Sequence, residues 1–446
     1  MNLHAMLSAR EAEGNPVRVG LIGAGKFGSM FLSQVLHTPG MHLVGIADLN
    51  VEGARDACRR VHWTEERFAA KSFADAYDRG STFITDDADA LIATDGIDVI
   101  IESTGVPEAG IHHALSCFEQ GKHVVMVNVE ADVLVGPLLT RKAREAGVVY
   151  AMAYGDQPAL ICEQVDWARA CGLEVVAAGK GTLFMPDYHA STPDTIWDHY
   201  GISAERAAQS GMNAKMFNSF LDGTKSGIEM AAVANATGLT PAPGGLEFPP
   251  CAVEKLAQTL IPQTDGGTLH HKGQVEVVSS RDRDGVDVTN NLRWGVYVVY
   301  EAPTDYVKNC FRDYGMLTDK SGRYSALWRP YHLIGLELGI SVAMAALRGE
   351  PTGCNQGFLG DVVATAKRDL KAGEELDGEG GYCVWGKLMP AADSLRLGGL
   401  PIGLSHGVTL KYDIPVGRPV RWDDVTFDDS TQAYAIRREM EKGFAA

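Results

Sequence analysis

Short apolar runs alternate with helical patterns in the first third of the chain. Residues 17–22 form a β-branched run that stops at glycines, and the apolar spacing of residues 26–36 is typical of a helix. Further buried-strand patterns lie at residues 41–47, 97–102 and 123–127. Strands that alternate with helices indicate a doubly wound parallel sheet. We therefore predict an α/β fold whose first domain covers residues 1–155.

The pattern changes after residue 155. Strand-like runs at 173–178 and 295–300 flank an Ala-rich helical stretch at 219–237, which predicts an α+β substrate and dimerisation domain over residues 156–350. Its last helix, residues 332–348, is apolar enough to pack back on the first domain. Turn glycines punctuate a β-rich tail, residues 351–446.

Composition narrows the class of protein. The 446 residues carry a formal net charge of −17, which disfavours nucleic-acid binding because that binding relies on Lys and Arg. The eight cysteines form no CxxC pair and are typical of reduced thiols in a cytoplasmic protein. No apolar run reaches the roughly 18 residues of a membrane span, so we expect no membrane insertion.

The first chemical motif, Gly23-Ala24-Gly25-Lys26-Phe27-Gly28, follows a strand and opens a helix. Gly23 would make the tight turn, Gly25 would let the backbone approach a pyrophosphate, and Gly28 would allow close helix packing. The free N–H groups of the helix N-terminus suit phosphates. We interpret this as a Rossmann domain that binds a dinucleotide; the alternative is a purely structural turn.

Asp48 stands at the end of the second strand, where a carboxylate can bind the adenosine ribose and favours NAD. Arg55, Arg59 or Arg60 could instead meet the 2′-phosphate of NADP, although a solvated helix face explains these arginines more simply.

Polar residues follow the next two strands. Ser103-Thr104-Gly105 comes after residues 97–102 and is predicted to flank the nicotinamide half of the cofactor. Asn128 and Glu130 follow residues 123–127 in the same way and could touch the nicotinamide ribose or the substrate; a capped helix start is the alternative.

The second domain offers basic and polar groups that suit a phosphate in an otherwise acidic protein. These candidate substrate-binding residues are Asn213, Lys215, Ser226, Arg329 and His332, together with Lys225. Lys225 and Ser226 open the Ala-rich helix and so suit an anion site. Each could also be an ordinary surface group, and His332 could cap a helix.

Four residues are candidates for catalysis: Lys180, Asp156, Glu229 and Lys225. Lys180 lies at a strand end between glycines, where a lysine could polarise a carbonyl or shuttle a proton. Asp156 and Glu229 could bind Mg²⁺ or Mn²⁺ through carboxylate oxygens. A helix cap and a solvated helix residue are the alternatives for these two acids.

Residues 101–128 (IESTGVPEAGIHHALSCFEQGKHVVMVN) resemble homoserine dehydrogenases, and residues 366–374 and 413–420 resemble a SAF (β-clip) domain. Together they look like the deoxyxylulose phosphate reductoisomerase-like proteins. That resemblance implies NADPH-dependent rearrangement and reduction of deoxyxylulose 5-phosphate to methylerythritol 4-phosphate in isoprenoid biosynthesis, with a small phosphorylated sugar as substrate and a homodimer as the assembly.

Individual motifs depart from these families. Homoserine dehydrogenases usually carry a lysine after the Asn of their motif, whereas Val129 follows Asn128 here. The reductoisomerase signature is matched by Lys225-Ser226-Gly227-Ile228-Glu229 with its Asn-Lys pair replaced, and Asp156-Gln157-Pro158 keeps only one acid of the metal motif. Two other functions stay open: a homoserine-dehydrogenase-type oxidoreductase acting on another small aldehyde or alcohol, and a non-catalytic dinucleotide sensor.

Overall fold

The computed structural model of the chain describes residues 2–209 and 212–444. Its amino-terminal part contains α1 (Leu3–Ala12), β1 (Val17–Ile22), α2 (Lys26–Val35), β2 (Met41–Ala47), α3 (Val51–Arg60), α4 (Phe73–Arg79), β3 (Phe83–Thr85), α5 (Ala88–Ala93), β4 (Val99–Glu102), α6 (Pro107–Glu119), β5 (His123–Met126), α7 (Val129–Glu145), β6 (Tyr150–Met152) and α8 (Gln157–Ala170).

The middle of the chain contains β7 (Glu174–Thr182), α9 (Ile196–Tyr200), α10 (Ala204–Gln209), α11 (Ala214–Leu221), α12 (Thr224–Thr237), α13 (Leu256–Thr259), β8 (Gln274–Ser279), β9 (Val296–Glu301), α14 (Asp305–Asp313), β10 (Tyr324–Arg329) and α15 (Gly339–Arg348). The tail contains β11 (Gly360–Ala366), β12 (Glu375–Asp377), β13 (Val384–Pro390), α16 (Ala391–Leu397), β14 (His406–Leu410), β15 (Val425–Thr426) and α17 (Gln432–Phe444).

Two compact units divide the chain. The first unit contains the residues up to Leu160 together with His332–Asn355, and the second contains Ile161–Tyr331 together with the residues from Gln356 onward. The tail therefore shares a unit with the middle of the chain, whereas the sequence predicts a domain boundary near residue 350. The predicted functions of the three domains stay predictions.

The first unit is built on a six-stranded parallel sheet in the order β3-β2-β1-β4-β5-β6. Its central strands are rich in β-branched residues and buried on both faces, as parallel sheets require. The strand order reverses at β1 and β4, which is the point where doubly wound sheets bind ligands. The predicted fold class is confirmed.

The helix expected over residues 332–348 begins later, at Gly339. Gly335 adopts a φ of +82°, a left-handed conformation that a continuous α-helix does not contain. The shorter helix α15 packs against β1, β4, β5 and β6, and Val342 and Ala343 are fully buried in the core of this unit. The prediction that this segment packs on the first sheet is consistent with these contacts.

The second unit contains a four-stranded mixed sheet in the order β10-β9-β7-β8, in which only the β7–β8 pair is parallel. The stretch at 219–237, which the sequence predicts as helical, belongs to two helices. Gly223 has a φ of +90°, and this left-handed conformation interrupts the α-helix between α11 and α12. Helix α12 contacts β7 and β8 on one side and β11 and β13 on another, so most of its residues are buried.

The tail is β-rich, with an antiparallel β11–β13 pair and a three-stranded β12-β14-β15 sheet. Its resemblance to a SAF domain stays a prediction.

Candidate functional site

The glycine turn after β1 has the geometry of a phosphate cradle. Gly23 has a φ of +91°, and a Cβ there would lie 2.8 Å from the carbonyl group of Ser103. A Cβ on Gly28 would lie 2.4 Å from the Gly23 carbonyl oxygen, so the helix can approach the turn only without a side chain. Gly25 differs from both, because its missing Cβ faces open space.

Gly25 is also the N-cap of α2, and no side chain caps this helix terminus. The N–H groups of the first turn, from Lys26 and Phe27 onward, therefore remain available to an anion. An open position in front of an uncapped helix after a buried strand fits the pyrophosphate of a dinucleotide.

Asp48 braces this turn. Its Oδ2 accepts a hydrogen bond from the Ala24 N–H at 2.8 Å, and its Oδ1 accepts one from the Asn50 N–H at 2.8 Å. The predicted contact with the ribose stays a prediction. Of the nearby arginines, Arg59 is already paired with Asp56 and Glu65, whereas Arg60 donates to Ser29 Oγ at 3.2 Å. The Arg60 guanidinium is therefore more available to a 2′-phosphate than the Arg59 guanidinium is.

Several polar side chains in the loops after β4 and β5 form hydrogen bonds to other groups of the protein. Ser103 Oγ donates to the Gly23 carbonyl at 2.7 Å, and Thr104 Oγ1 donates to Glu102 at 2.5 Å. Asn128 caps α7 by accepting from the Ala131 N–H at 3.1 Å, while its Nδ2 donates to the Val106 carbonyl at 2.9 Å. The capping alternative thus describes Asn128.

Two further positions complete this edge of the sheet. Gly105 has a φ of +70°, and a Cβ there would meet no atom within 4 Å, so the loop leaves room beside it. Glu130 lies half-buried in the first turn of α7. Both stay predicted cofactor contacts.

A buried acid beside these loops was missed by the sequence analysis. Glu102 is fully buried at the end of β4, and its Oε1 lies 3.3 Å from His113 Nδ1. Its Oε2 has no hydrogen-bond partner among the residues that the structure describes. In the sequence this acid closes an apolar strand and looks like a strand end, so only its burial marks it as unusual.

In the second unit, a buried ion pair joins Lys180 on β7 to Glu229 on α12. Their side chains are 7% and 4% exposed. Ser226, one turn before Glu229 on the same helix face, is also buried, and its Oγ has no hydrogen-bond partner in the described part of the chain. Because buried hydroxyls are normally hydrogen-bonded, this cluster is a candidate for chemistry.

The strand register places Arg329 near this cluster. Lys180 pairs with Val296 of β9, and Val296 pairs with Arg329 of β10, so the three residues form one row across the sheet. Paired residues project from the same face, and strands are about 4.8 Å apart, which puts the backbones of Lys180 and Arg329 about 10 Å from each other. The Arg329 guanidinium lies 5.3 Å from the centre of the Tyr331 ring.

The other predicted substrate residues are dispersed or occupied. Asn213 caps α11 through the Met216 N–H at 3.2 Å, and Lys215 donates to the Asp377 carbonyl at 3.2 Å. Lys225 is half-buried in the first turn of α12. His332 belongs to the first unit, outside any helix.

The residues do not fit the predicted Mg²⁺ or Mn²⁺ site. Asp156 accepts from the Gln157 N–H at 2.9 Å at the start of α8, and Glu229 is neutralised by Lys180. No group of three or more His, Cys, Asp or Glu residues that could hold a metal ion occurs within the described ranges. The metal prediction therefore has no support in the arrangement of side chains.

The fold and the glycine turn define the first unit as an NAD(P)-binding Rossmann fold of the oxidoreductase class. Residues 17–127 match the model of the oxidoreductase family with an NAD-binding Rossmann fold, GFO_IDH_MocA. Residues 155–338 match the model described as oxidoreductase DRL, catalytic domain. Lys180, Glu229 and Arg329 all lie inside this second segment.

A homoserine dehydrogenase from Pseudomonas aeruginosa is 31% identical over 136 residues, which is 30% of this chain and 28% of that protein. The match thus spans little more than a quarter of the relative. A myo-inositol dehydrogenase from Corynebacterium glutamicum is 17% identical over 41% of this chain and 48% of its own, with a TM-score of 0.28. A biliverdin reductase from Synechocystis, solved with biliverdin and NADP⁺, is 19% identical over 44% and 55% of the two chains, with a TM-score of 0.25.

The resemblance to deoxyxylulose phosphate reductoisomerase-like proteins is wrong, because the family models that match are those of the two oxidoreductase families named above. The rearrangement reaction and the role in isoprenoid biosynthesis rested on that resemblance and are therefore not supported either. The match to a homoserine dehydrogenase over 136 residues agrees with the predicted resemblance to that family. Within the described residues, the helices are too short or too polar to cross a membrane.

Proposed function

We propose that this protein is an NAD(P)-dependent oxidoreductase that interconverts a small aldehyde and the corresponding alcohol, as homoserine-dehydrogenase-type enzymes do. The observation that supports this most directly is the open position at Gly25 before the uncapped N-terminus of α2. When bound, the dinucleotide supplies or accepts the hydride at its nicotinamide ring. The glycine turn and the first N–H groups of α2 hold its pyrophosphate.

Lys180 is the proposed proton donor in the reducing direction. As an ammonium group, it gives one proton to the carbonyl oxygen while the carbonyl carbon gains the hydride, and the product is an alcohol. In the oxidising direction the neutral amine accepts the hydroxyl proton. Glu229 holds the ammonium in place through the buried ion pair, and is a positioning residue.

Ser226 and Arg329 are the proposed substrate-binding groups. The Ser226 hydroxyl lies on the same helix face as Glu229, and can donate to or accept from the substrate oxygen. Arg329, in the same sheet row as Lys180, suits a carboxylate or phosphate on the substrate because its planar guanidinium binds such groups through two parallel hydrogen bonds. Lys225 adds a second positive charge.

The decisive experiment follows NAD(P)H oxidation with aspartate semialdehyde and with other small aldehydes that carry an anionic group. We expect turnover with at least one of them, and a fall in kcat of about 100-fold or more in Lys180→Met. Lys255→Met, which removes an exposed lysine of the same unit, is the control and should turn over normally. A folded protein that binds the dinucleotide but reduces no aldehyde would contradict the proposal.

A further inference from the structure

A cavity of about 480 Å³ lies in the first unit, at the amino ends of β1 and β2. Arg18 and His42, the second residues of these two strands, line it. The glycine turn and Asp48 follow the carboxyl ends of the same strands. Because a strand rises about 3.3 Å per residue, the cavity lies roughly 17 Å from the dinucleotide turn. It is therefore a separate place on the molecule.

Two arginines give this cavity a positive charge. Arg18 and Arg67 both line it, and neither forms a salt bridge among the residues that the structure describes. Asp98 Oδ2 accepts a hydrogen bond from the main-chain N–H of Arg18 at 2.8 Å. Glu11 is the one acid in the lining. Unpaired arginines are unexpected in a chain with a net charge of −17.

The aromatic lining is fixed by bonds to the backbone. Trp63 Nε1 donates to the Leu32 carbonyl at 2.9 Å, and the Tyr77 hydroxyl donates to the Asp95 carbonyl at 2.7 Å. Their polar atoms are thereby satisfied. The Arg18 guanidinium lies 5.3 Å from the centre of the Tyr77 ring, a cation–π distance that leaves its N–H groups available.

His42 adds a hydrogen-bond acceptor to the lining. Its Nε2 lies 2.9 Å from the Ser81 carbonyl oxygen, so Nε2 carries the proton and Nδ1 is left as the acceptor. Burial, helped by the nearby Arg18 charge, lowers the pKa of His42 below its ordinary value, which keeps the ring neutral near pH 7.

We propose that this cavity is a second ligand site of the protein, and that it binds a small organic anion with a flat ring and one carboxylate or phosphate group. Arg18 and Arg67 bind the anionic group, and Trp63 and Tyr77 flank the ring. The volume falls in the range of small-molecule sites. The lining combines two aromatic rings with two arginines, which is the chemistry that an aromatic anion requires. The inference does not depend on the oxidoreductase proposal.

Calorimetry with phenyl phosphate tests this inference, with NAD⁺ and NADP⁺ both in excess so that the dinucleotide turn is filled. We expect phenyl phosphate to bind, and inorganic phosphate and phenol to bind at least about tenfold more weakly, because each lacks one half of the recognised chemistry. Phenyl phosphate that binds no better than inorganic phosphate, or not at all up to about 10 mM, would overturn the inference.

Variants locate the binding. Arg67→Met should weaken phenyl phosphate binding by about tenfold or more, because it removes a charge-assisted hydrogen bond from an exposed residue that the fold does not need. Arg18→Lys gives a second variant that keeps the charge but loses the planar fork. Arg141→Met, an exposed arginine outside the lining, is the matched control, and Gly25→Val should leave this binding intact. Unchanged affinity in both Arg67→Met and Arg18→Lys would refute the site.

Discussion

Glu229→Met tests whether the buried pair with Lys180 serves stability alone or also turnover. Both side chains are less than one tenth exposed, so the change leaves a lysine charge buried without its partner. Breaking a buried ion pair costs about 3 to 5 kcal/mol, and we expect a loss of about 3 kcal/mol in the free energy of unfolding. Lys180→Met should cost a similar amount, because it leaves the glutamate charge unpaired.

The double variant separates the two roles. Lys180→Met combined with Glu229→Met replaces both charges by apolar side chains of similar size, which is often close to neutral for stability. We therefore expect the double variant to recover to within about 1 kcal/mol of the wild type. Its kcat should stay about 100-fold or more below wild type, since the proton donor is gone.

Urea denaturation and steady-state kinetics on the wild type, the two single variants and the double variant give both quantities. Wild-type turnover in the stable double variant would show that the pair is structural and would remove Lys180 from the site. A loss below about 1 kcal/mol in each single variant would refute the burial argument itself.

Three further outcomes are expected. Gly25→Val should abolish NAD(P) binding in calorimetry while the fold persists, because its side chain would fill the open space; Gly244→Val, at another glycine with open space, should bind normally. Burial raises the pKa of Glu276 from 4.5 to about 8, despite hydrogen bonds from three main-chain N–H groups. The stability from this raised pKa is full below pH 4.5 and declines toward pH 8, by at most about 1.4 kcal/mol per pH unit, and urea titrations should show a flatter profile for Glu276→Gln. Light scattering should give the mass of a homodimer, and a monomer at all concentrations would contradict that prediction.

The sequence by itself determined the elements whose signals are local. The strand at residues 17–22 and the strand at residues 41–47 have the predicted bounds, because their β-branched runs end at glycine or at a polar residue. The glycine turn was equally predictable from the sequence, since the adjoining strand and helix leave no room for a Cβ at Gly23 or Gly28. Local chemistry also explains why the capping alternative describes Asn128. Asn213 is a helix cap as well, although the sequence predicted only a substrate contact or an ordinary surface group there.

The tertiary structure alone decided which distant residues meet. Lys180 and Glu229 are 49 residues apart, and no local sequence pattern pairs them. Arg329 joins the row of Lys180 only through the antiparallel register of two strand pairs. Such pairings depend on sheet order, which hydrophobic periodicity does not encode.

Burial was the other quantity that the sequence did not reveal. In the sequence, Glu102 ends an apolar strand and Glu276 lies in an alternating strand pattern, and neither pattern marks a buried acid. Both residues are nevertheless buried in the structure. The cavity with Arg18 and Arg67 depends likewise on residues drawn from α1, the first two strands and the loops around α4. A side chain's solvation is set by everything packed around it, and these neighbours come together only when the chain has folded.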